Sequence, residues 1–330
     1  MAARTADLTE RKAVMADITR ADALALLAEQ DIREIVQEAT VSSAALATFR
    51  TIRMSAKQAR MPVLSALPTA GFVTESASDA SGSKPTTKVE WEDKELIAEE
   101  IAAIVPIHEN VLEDQDYDIW AEVRPLVAQE FGRVLDAAVL FGTNKPSTWT
   151  DDALVPGAVA ADNDHAAGSG DVEGNTDLAG DVNAAFGLVE DDGFDVNVAY
   201  TGRFLRQHLR GLRDTDGFPI YLDNVRSDGS TPSIYGQDLY YVQNGTWDRD
   251  EATILVGDRS KAILGVRSDV QVKLLDQATL DMGGGTLVHL AQRDMVALRF
   301  KFRVGFATSV PLGLEGGESR YPFAVVTPGS

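Results

Sequence analysis

Residues 71–100, GFVTESASDASGSKPTTKVEWEDKELIAEE, hold eight acidic residues and three lysines. Their only large apolar side chains are Phe72, Val73, Val89, Trp91, Leu96 and Ile97. A stretch this polar cannot bury itself. Uninterrupted loops beyond roughly 12–15 residues are uncommon inside compact domains and are usually functional or disordered. Lys88-Val89-Glu90-Trp91-Glu92 alternates polar and apolar as a half-exposed strand does, so the downstream end has regular structure. The chain must therefore accommodate an arm that completes its packing outside its own domain.

The flanks extend this reading. Before the arm, Phe49–Leu67 carries Arg50, Arg53, Lys57 and Arg60 in an extended pattern, with Pro62 and Pro68 at places unsuited to an interior sheet strand. This predicts a strand entering a projecting hairpin, a Ser/Gly-rich tip at 76–83 and a return strand over 88–97. Further upstream, Ala23, Leu24, Leu27 and Ala28, then Ile32, Ile35 and Val36, recur at helical spacing. Their apolar stripe is narrow and suits docking on another surface.

After the arm, EDQDYDIWAEVRPLVAQEFGRVLDAAVLFG predicts a helix over about 118–141, roughly 35 Å long. Asp114, Asp116 and Asp118 favour its start and Gly142 its stop, and Pro125 must lie near its first turn or kink it. The Pro- and Gly-rich region 143–180 reads as surface loops. Beyond it, short helices at 181–189 and 202–211 mix with strands at 194–200, 238–242, 253–257, 262–266 and 270–275. This is an α+β order without regular strand-helix repetition. The strongest strand is 295–306, with Val296, Leu298, Phe300, Phe302, Val304 and Phe306 on one face and Arg299, Lys301 and Arg303 on the other. Three like charges on one strand face are unfavourable unless spread into solvent or opposed by carboxylates. They are expected to balance charge or meet another subunit.

Composition excludes several functions. With no cysteine, there is no disulfide, thiolate metal site or cysteine nucleophile. The formal charge of −21 repels nucleic acid at long range, which argues against a sequence-reading DNA binder while permitting DNA to be enclosed by a non-sticky container. No apolar run is long enough to cross a bilayer, and the N-terminus lacks a secretory signature, so no membrane partner and no secretion are expected. His108, His165, His208 and His289 are widely separated, and His108-Glu109-Asn110-Val111-Leu112 lacks the second histidine of a zinc helix. Phosphate-binding glycine motifs and nucleophile elbows are absent, and Gly283-Gly284-Gly285 reads as a turn. Asp162, Asp164, Asp171, Glu173 and Asp177 do not follow a calcium-loop order. No enzyme, catalytic residue, cofactor or metal site is expected.

The ordered combination resembles the major capsid proteins of tailed bacteriophages. The residues carrying the resemblance are the polar arm, IVPIHENVLED at 104–114, the helix ending AAVLFG at 137–142, ILVGDRSKAILG at 254–265, and RDMVALR at 293–299. The resemblance implies an N-terminal arm (1–49), an extended β-hairpin loop (50–103), and a peripheral domain with a spine helix (104–142) and a return strand (291–312). It also implies an axial domain (143–290) with a tail (313–330). Pentamers and hexamers would tile an icosahedral shell around double-stranded DNA, assembled in the host cytoplasm as part of the virion. The extended loop would overlie a neighbour, and portal and scaffolding proteins would be partners. With only about 45 residues before the arm, a large fused scaffold is not expected. Phe72, Val89 and Trp91 are the candidate anchors of the loop, and Arg299, Lys301 and Arg303 the candidate intersubunit contacts. An encapsulin-like nanocompartment, which resembles the same fold but encloses protein cargo, is the alternative.

Overall fold

Two β-sheets share one core in the computed structural model, which describes residues 43–66, 90–109, 119–212, 232–281, 287–310 and 320–329. In chain order, α1 (Ala44–Thr48) leads to β1 (Arg50–Arg53), β2 (Gln58–Ala66), β3 (Glu90–Ile97) and β4 (Glu99–His108). The spine helix α2 (Ile119–Asp136) runs into a π-helical turn at Ala137–Phe141. Then come α3 (Leu154–Ala160), β5 (Asp164–Ala166), α4 (Leu178–Asp191), β6 (Val198–Gly202) and α5 (Leu205–Gly211). β7 (Ser233–Ile234), β8 (Gln237–Val242), β9 (Ile254–Gly257) and β10 (Ala262–Leu275) follow. β11 (Thr279–Asp281), β12 (Leu287–His289), β13 (Met295–Thr308) and β14 (Phe323–Thr327) complete the described order.

The first sheet has four strands in the order β1-β10-β13-β4, and the second has six in the order β5-β14-β9-β6-β8-β7. Period-two alternation decides which side chains meet the core. In β13, Phe300, Phe302, Val304 and Phe306 point inward against the spine residues Val127, Phe131 and Leu135 and join one cluster with Val198, Tyr200, Leu255, Phe323 and Val325 of the six-stranded sheet. The other face of that second sheet, through Ala199, Ile254, Val256, Ala324 and Val326, packs on Val182, Phe186 and Val189 of α4 and Leu205 and Leu209 of α5. Burial on both faces explains why β6, β9 and β14 read as short continuous apolar runs and not as alternating strands.

The spine helix ends as its glycine predicts. Gly142 takes φ +74° and donates its N–H to the Ala137 carbonyl. Pro125 lies inside α2, so the helix continues through it. The three aspartates expected to start the helix include Asp114 and Asp116, which with Asp118 lie outside the described residues, as do residues 1–42, the loop tip, Phe72, Val89 and the glycine run at 283–285.

Two local expectations need correction. The region 143–180 contains α3, whose Leu154, Val155 and Ala158 are buried; Pro156 falls in its first turn, where a missing N–H costs nothing. The two strands expected at 262–266 and 270–275 are one strand, β10, with register shifts between Val266 and Gln271 that carry it across the break in alternation. β10 hydrogen-bonds to β13 along the four-stranded sheet.

Candidate assembly surface

The hairpin expected from sequence is present as a ribbon. β2 pairs antiparallel with β3, from Gln58 opposite Ile97 to Ala66 opposite Glu90, and the two strands form a sheet by themselves. Pro62, opposite Asp93, is tolerated because a two-stranded ribbon has two free edges. Arg60 sits opposite Glu95 and approaches its carboxylate at 3.4 Å, a cross-strand ion pair. Trp91 is described as far as its backbone, which lies opposite Leu64.

At its base the ribbon is held by the segment that follows the spine helix. Trp149 donates its indole N–H to the Ile97 carbonyl at 3.0 Å, and Thr148 donates to Glu99 at 3.0 Å. Lys94 Nζ reaches Asp151 Oδ2 at 3.0 Å and also donates to the Thr308 carbonyl, while the Thr308 N–H donates to the same Asp151 oxygen at 2.8 Å. Both Lys94 and Asp151 are largely buried, so each charge is compensated where water is scarce.

The outward face of the four-stranded sheet is polar. Register places Lys273 and Ile104 on either side of Arg299, Gln271 and Ala102 beside Lys301, and Ser268 and Glu100 beside Arg303. Glu100 receives Lys301 at 2.5 Å and Arg303 at 3.2 Å. The hydrogen bond from Lys301 is the main reason its carboxyl lies below the usual carboxylate range; partial burial opposes this, and Arg303 adds to it. Two of the three basic residues singled out in sequence are therefore bridged by a carboxylate of their own chain. Among the described residues Arg299 has no ion pair.

A second cluster was not anticipated. Asp136, fully buried at the end of the spine helix, accepts from Ser43 Oγ at 2.7 Å, Ala44 N at 2.8 Å, Ala45 N at 3.0 Å and Asn244 Nδ2 at 2.6 Å. Burial pushes its carboxyl up, against the four donors that pull it down. The cluster ties the segment entering α1 to the spine and to the loop after β8. A sequence signal existed, since a carboxylate inside the apolar run VLDAAVLF has to be satisfied somewhere.

Among the described residues, one trio of polar side chains has the composition of a catalytic relay without its geometry. Ser169, His165 and Asp181 come together, but Ser169 Oγ at 3.3 Å and Asp181 Oδ1 at 3.1 Å both approach the same ring nitrogen, Nε2. A relay needs the nucleophile hydroxyl and the orienting carboxylate on opposite nitrogens of the imidazole base. Asp181 instead takes the Gly168 N–H on both oxygens. Asp171 accepts the N–H groups of Glu173 and Asn175, and Asp177 caps α4 by accepting from Gly180, so these carboxylates organise their own loop. Among the described residues no group of three His, Cys, Asp or Glu side chains could hold a metal ion.

The ribbon, spine and paired sheets have counterparts in known proteins. A solved structure from Microbacterium phage Oxtober96 is 63% identical and superposes with a TM-score of 0.78, covering 95% of this chain and 100% of that one. One from Mycobacterium phage Bobi is 39% identical with a TM-score of 0.76, covering 88% of this chain and 91% of that one. The major capsid protein of Staphylococcus phage 80alpha is 24% identical over 230 residues, which are 66% of this chain and 63% of that protein, so the match spans less than two thirds of the relative. The pattern of the phage capsid family runs through residues 25–316, from before the ribbon to beyond the last strand of the four-stranded sheet. With its ribbon and spine helix both inside that match, the chain belongs to the phage major capsid protein family.

Proposed function

We propose that the chain is a shell subunit that assembles into pentamers and hexamers and tiles an icosahedral capsid around double-stranded phage DNA. The observation that carries this reading is the β2–β3 ribbon, which among the described residues pairs with no other strand of its own chain. A marginal two-stranded ribbon gains stability when it packs on a further surface, and a neighbouring subunit supplies one. Phe72, Val89 and Trp91 anchor the extended loop on that neighbour, and Arg299, with Lys301 and Arg303 beside it, offers the charged rim of a contact. Anchors of this kind contribute more than a polar rim.

In this reading the four-stranded sheet and spine helix form the peripheral domain, and the six-stranded sheet with α4 and α5 forms the axial domain. Residues 1–49 are the N-terminal arm. DNA is held without sequence recognition, consistent with a net charge of −21. Portal and scaffolding proteins complete the set of partners, with assembly in the host cytoplasm.

Electron microscopy of purified assemblies, combined with a nuclease-protection assay on particles from infected cells, tests the proposal. Closed shells with protected double-stranded DNA are expected. Persistently monomeric protein across salt, pH and scaffold conditions overturns it, and shells filled with a protein cargo instead of DNA point to a nanocompartment.

A further inference from the structure

β10 and β13 each carry a glycine, and the register sets Gly265 directly opposite Gly305. Neither is among the positive-φ glycines, so backbone freedom is not what these positions require. Space is. A Cβ on Gly265 would fall 2.4 Å from Met54 Sδ and 2.6 Å from Leu96 Cδ2. On Gly305 it would fall 2.6 Å from the Ile97 carbonyl oxygen and 3.3 Å from the Ala98 nitrogen. The base of the ribbon thus rests on bare sheet backbone, in a small core of Met54, Leu96, Ala98, Ile263 and Ala307. The Ala98 N–H donates to the Lys57 carbonyl at 2.8 Å and closes the base. Lys94, tied to Asp151, and Trp149, tied to Ile97, hold the same base from the segment after the spine helix.

We propose that Gly265 and Gly305 form a seat that fixes the direction in which the ribbon leaves the subunit, with Lys94 and Trp149 as positioning residues. The inference deepens the shell-subunit reading and rests on it for its consequence in assembly. The two glycines differ in how they act. Gly265 meets the ends of two flexible side chains, which can move aside. Gly305 meets backbone, which cannot rotate away, so a methyl group there must lift the crossover between β3 and β4. β3 has eight residues and reaches about 26 Å, so a small displacement at the seat is magnified at the far end.

The test compares Gly305→Ala, Gly265→Ala and Lys94→Met with Gly187→Ala, a helical glycine in α4 whose Cβ would meet open space. Amide exchange over residues 94–99 is measured in unassembled subunits, and shell yield and diameter are measured by electron microscopy. Gly305→Ala is expected to raise exchange about tenfold at the ribbon base, Gly265→Ala and Lys94→Met less, with fewer or irregular shells in the same order and none of this for Gly187→Ala. Exchange and shells in Gly305→Ala that match Gly187→Ala overturn the seat. Faster exchange with shells of unchanged yield and size upholds the seat and removes the ribbon from assembly. If Gly305→Ala does not fold, Gly265→Ala and Lys94→Met decide in its place, since neither forces backbone apart, and wild-type exchange at residues 94–99 in both variants overturns the seat.

Discussion

At the scale of single residues, Asp136 does what a buried carboxylate must: every oxygen faces donors. Asp136→Ala strands the buried donors of Ser43, Ala44 and Ala45 and takes one acceptor from the half-buried Asn244. Each unpaired buried donor costs about 1–3 kcal/mol before relaxation. The variant should lose roughly 3 kcal/mol or more in urea unfolding of the unassembled subunit, and a loss below about 1 kcal/mol would show that the cluster relaxes freely. Asp136→Asn, which keeps one acceptor oxygen, should fall between. Glu100 represents the opposite case, with its side chain 38% exposed. Its folded-state carboxyl lies below its unfolded value, so its contribution is present above the ordinary carboxylate range and is lost as pH falls through the folded value. Solvent screening keeps that contribution small. Glu100→Gln is expected to cost less than about 1 kcal/mol at neutral pH, with the gap to wild type closing as pH falls through the folded carboxyl's lowered value. A gap that persists unchanged in acid would assign the effect to packing and not to charge.

At the scale of elements, the long helix, the ribbon and β13 were legible because each repeats a period that one buried face imposes. The helix stop was legible for a different reason. Gly142 has φ +74°, and a Cβ there would meet nothing closer than Ala153 Cβ at 3.4 Å, so the cost of a side chain is conformational and not steric. Gly142→Ala should therefore cost about 1 kcal/mol, whereas Gly187→Ala, inside α4 and facing open space, should stabilise by about 0.5 kcal/mol. Thermal unfolding of the two variants checks the pair, and shifts of the same sign would refute the distinction. What was not legible is equally physical. α3 was hidden because Pro156 punctuates a short apolar run, and proline reads as a breaker unless its place in the first turn is known. β10 was read as two strands because its register shifts interrupt the alternation that marks a strand.

At the scale of the whole molecule, a chain with 51 acidic and 30 basic residues has to assemble against its own repulsion, so apolar anchors matter more than charged ones. Trp91→Ala is accordingly expected to weaken assembly more than Ser78→Ala at the loop tip, read as shell yield by sedimentation and as shell dissociation in denaturant. Equal yields and equal shell stabilities for the two variants would sink the anchor role. Composition and period alone determined that the chain is α+β, that β2 and β3 flank a polar stretch, that a long helix ends at Gly142 and that β13 has one apolar and one basic face. These properties depend on residues near one another in sequence, where spacing is the same as geometry. Only the tertiary structure decided that Glu100 bridges Lys301 and Arg303, that Asp136 ties residue 43 to the spine, and that Gly265 and Gly305 lie beneath the ribbon. Those contacts join positions about 90 to 210 residues apart, and their partners are chosen by strand register and core packing, which no local pattern encodes.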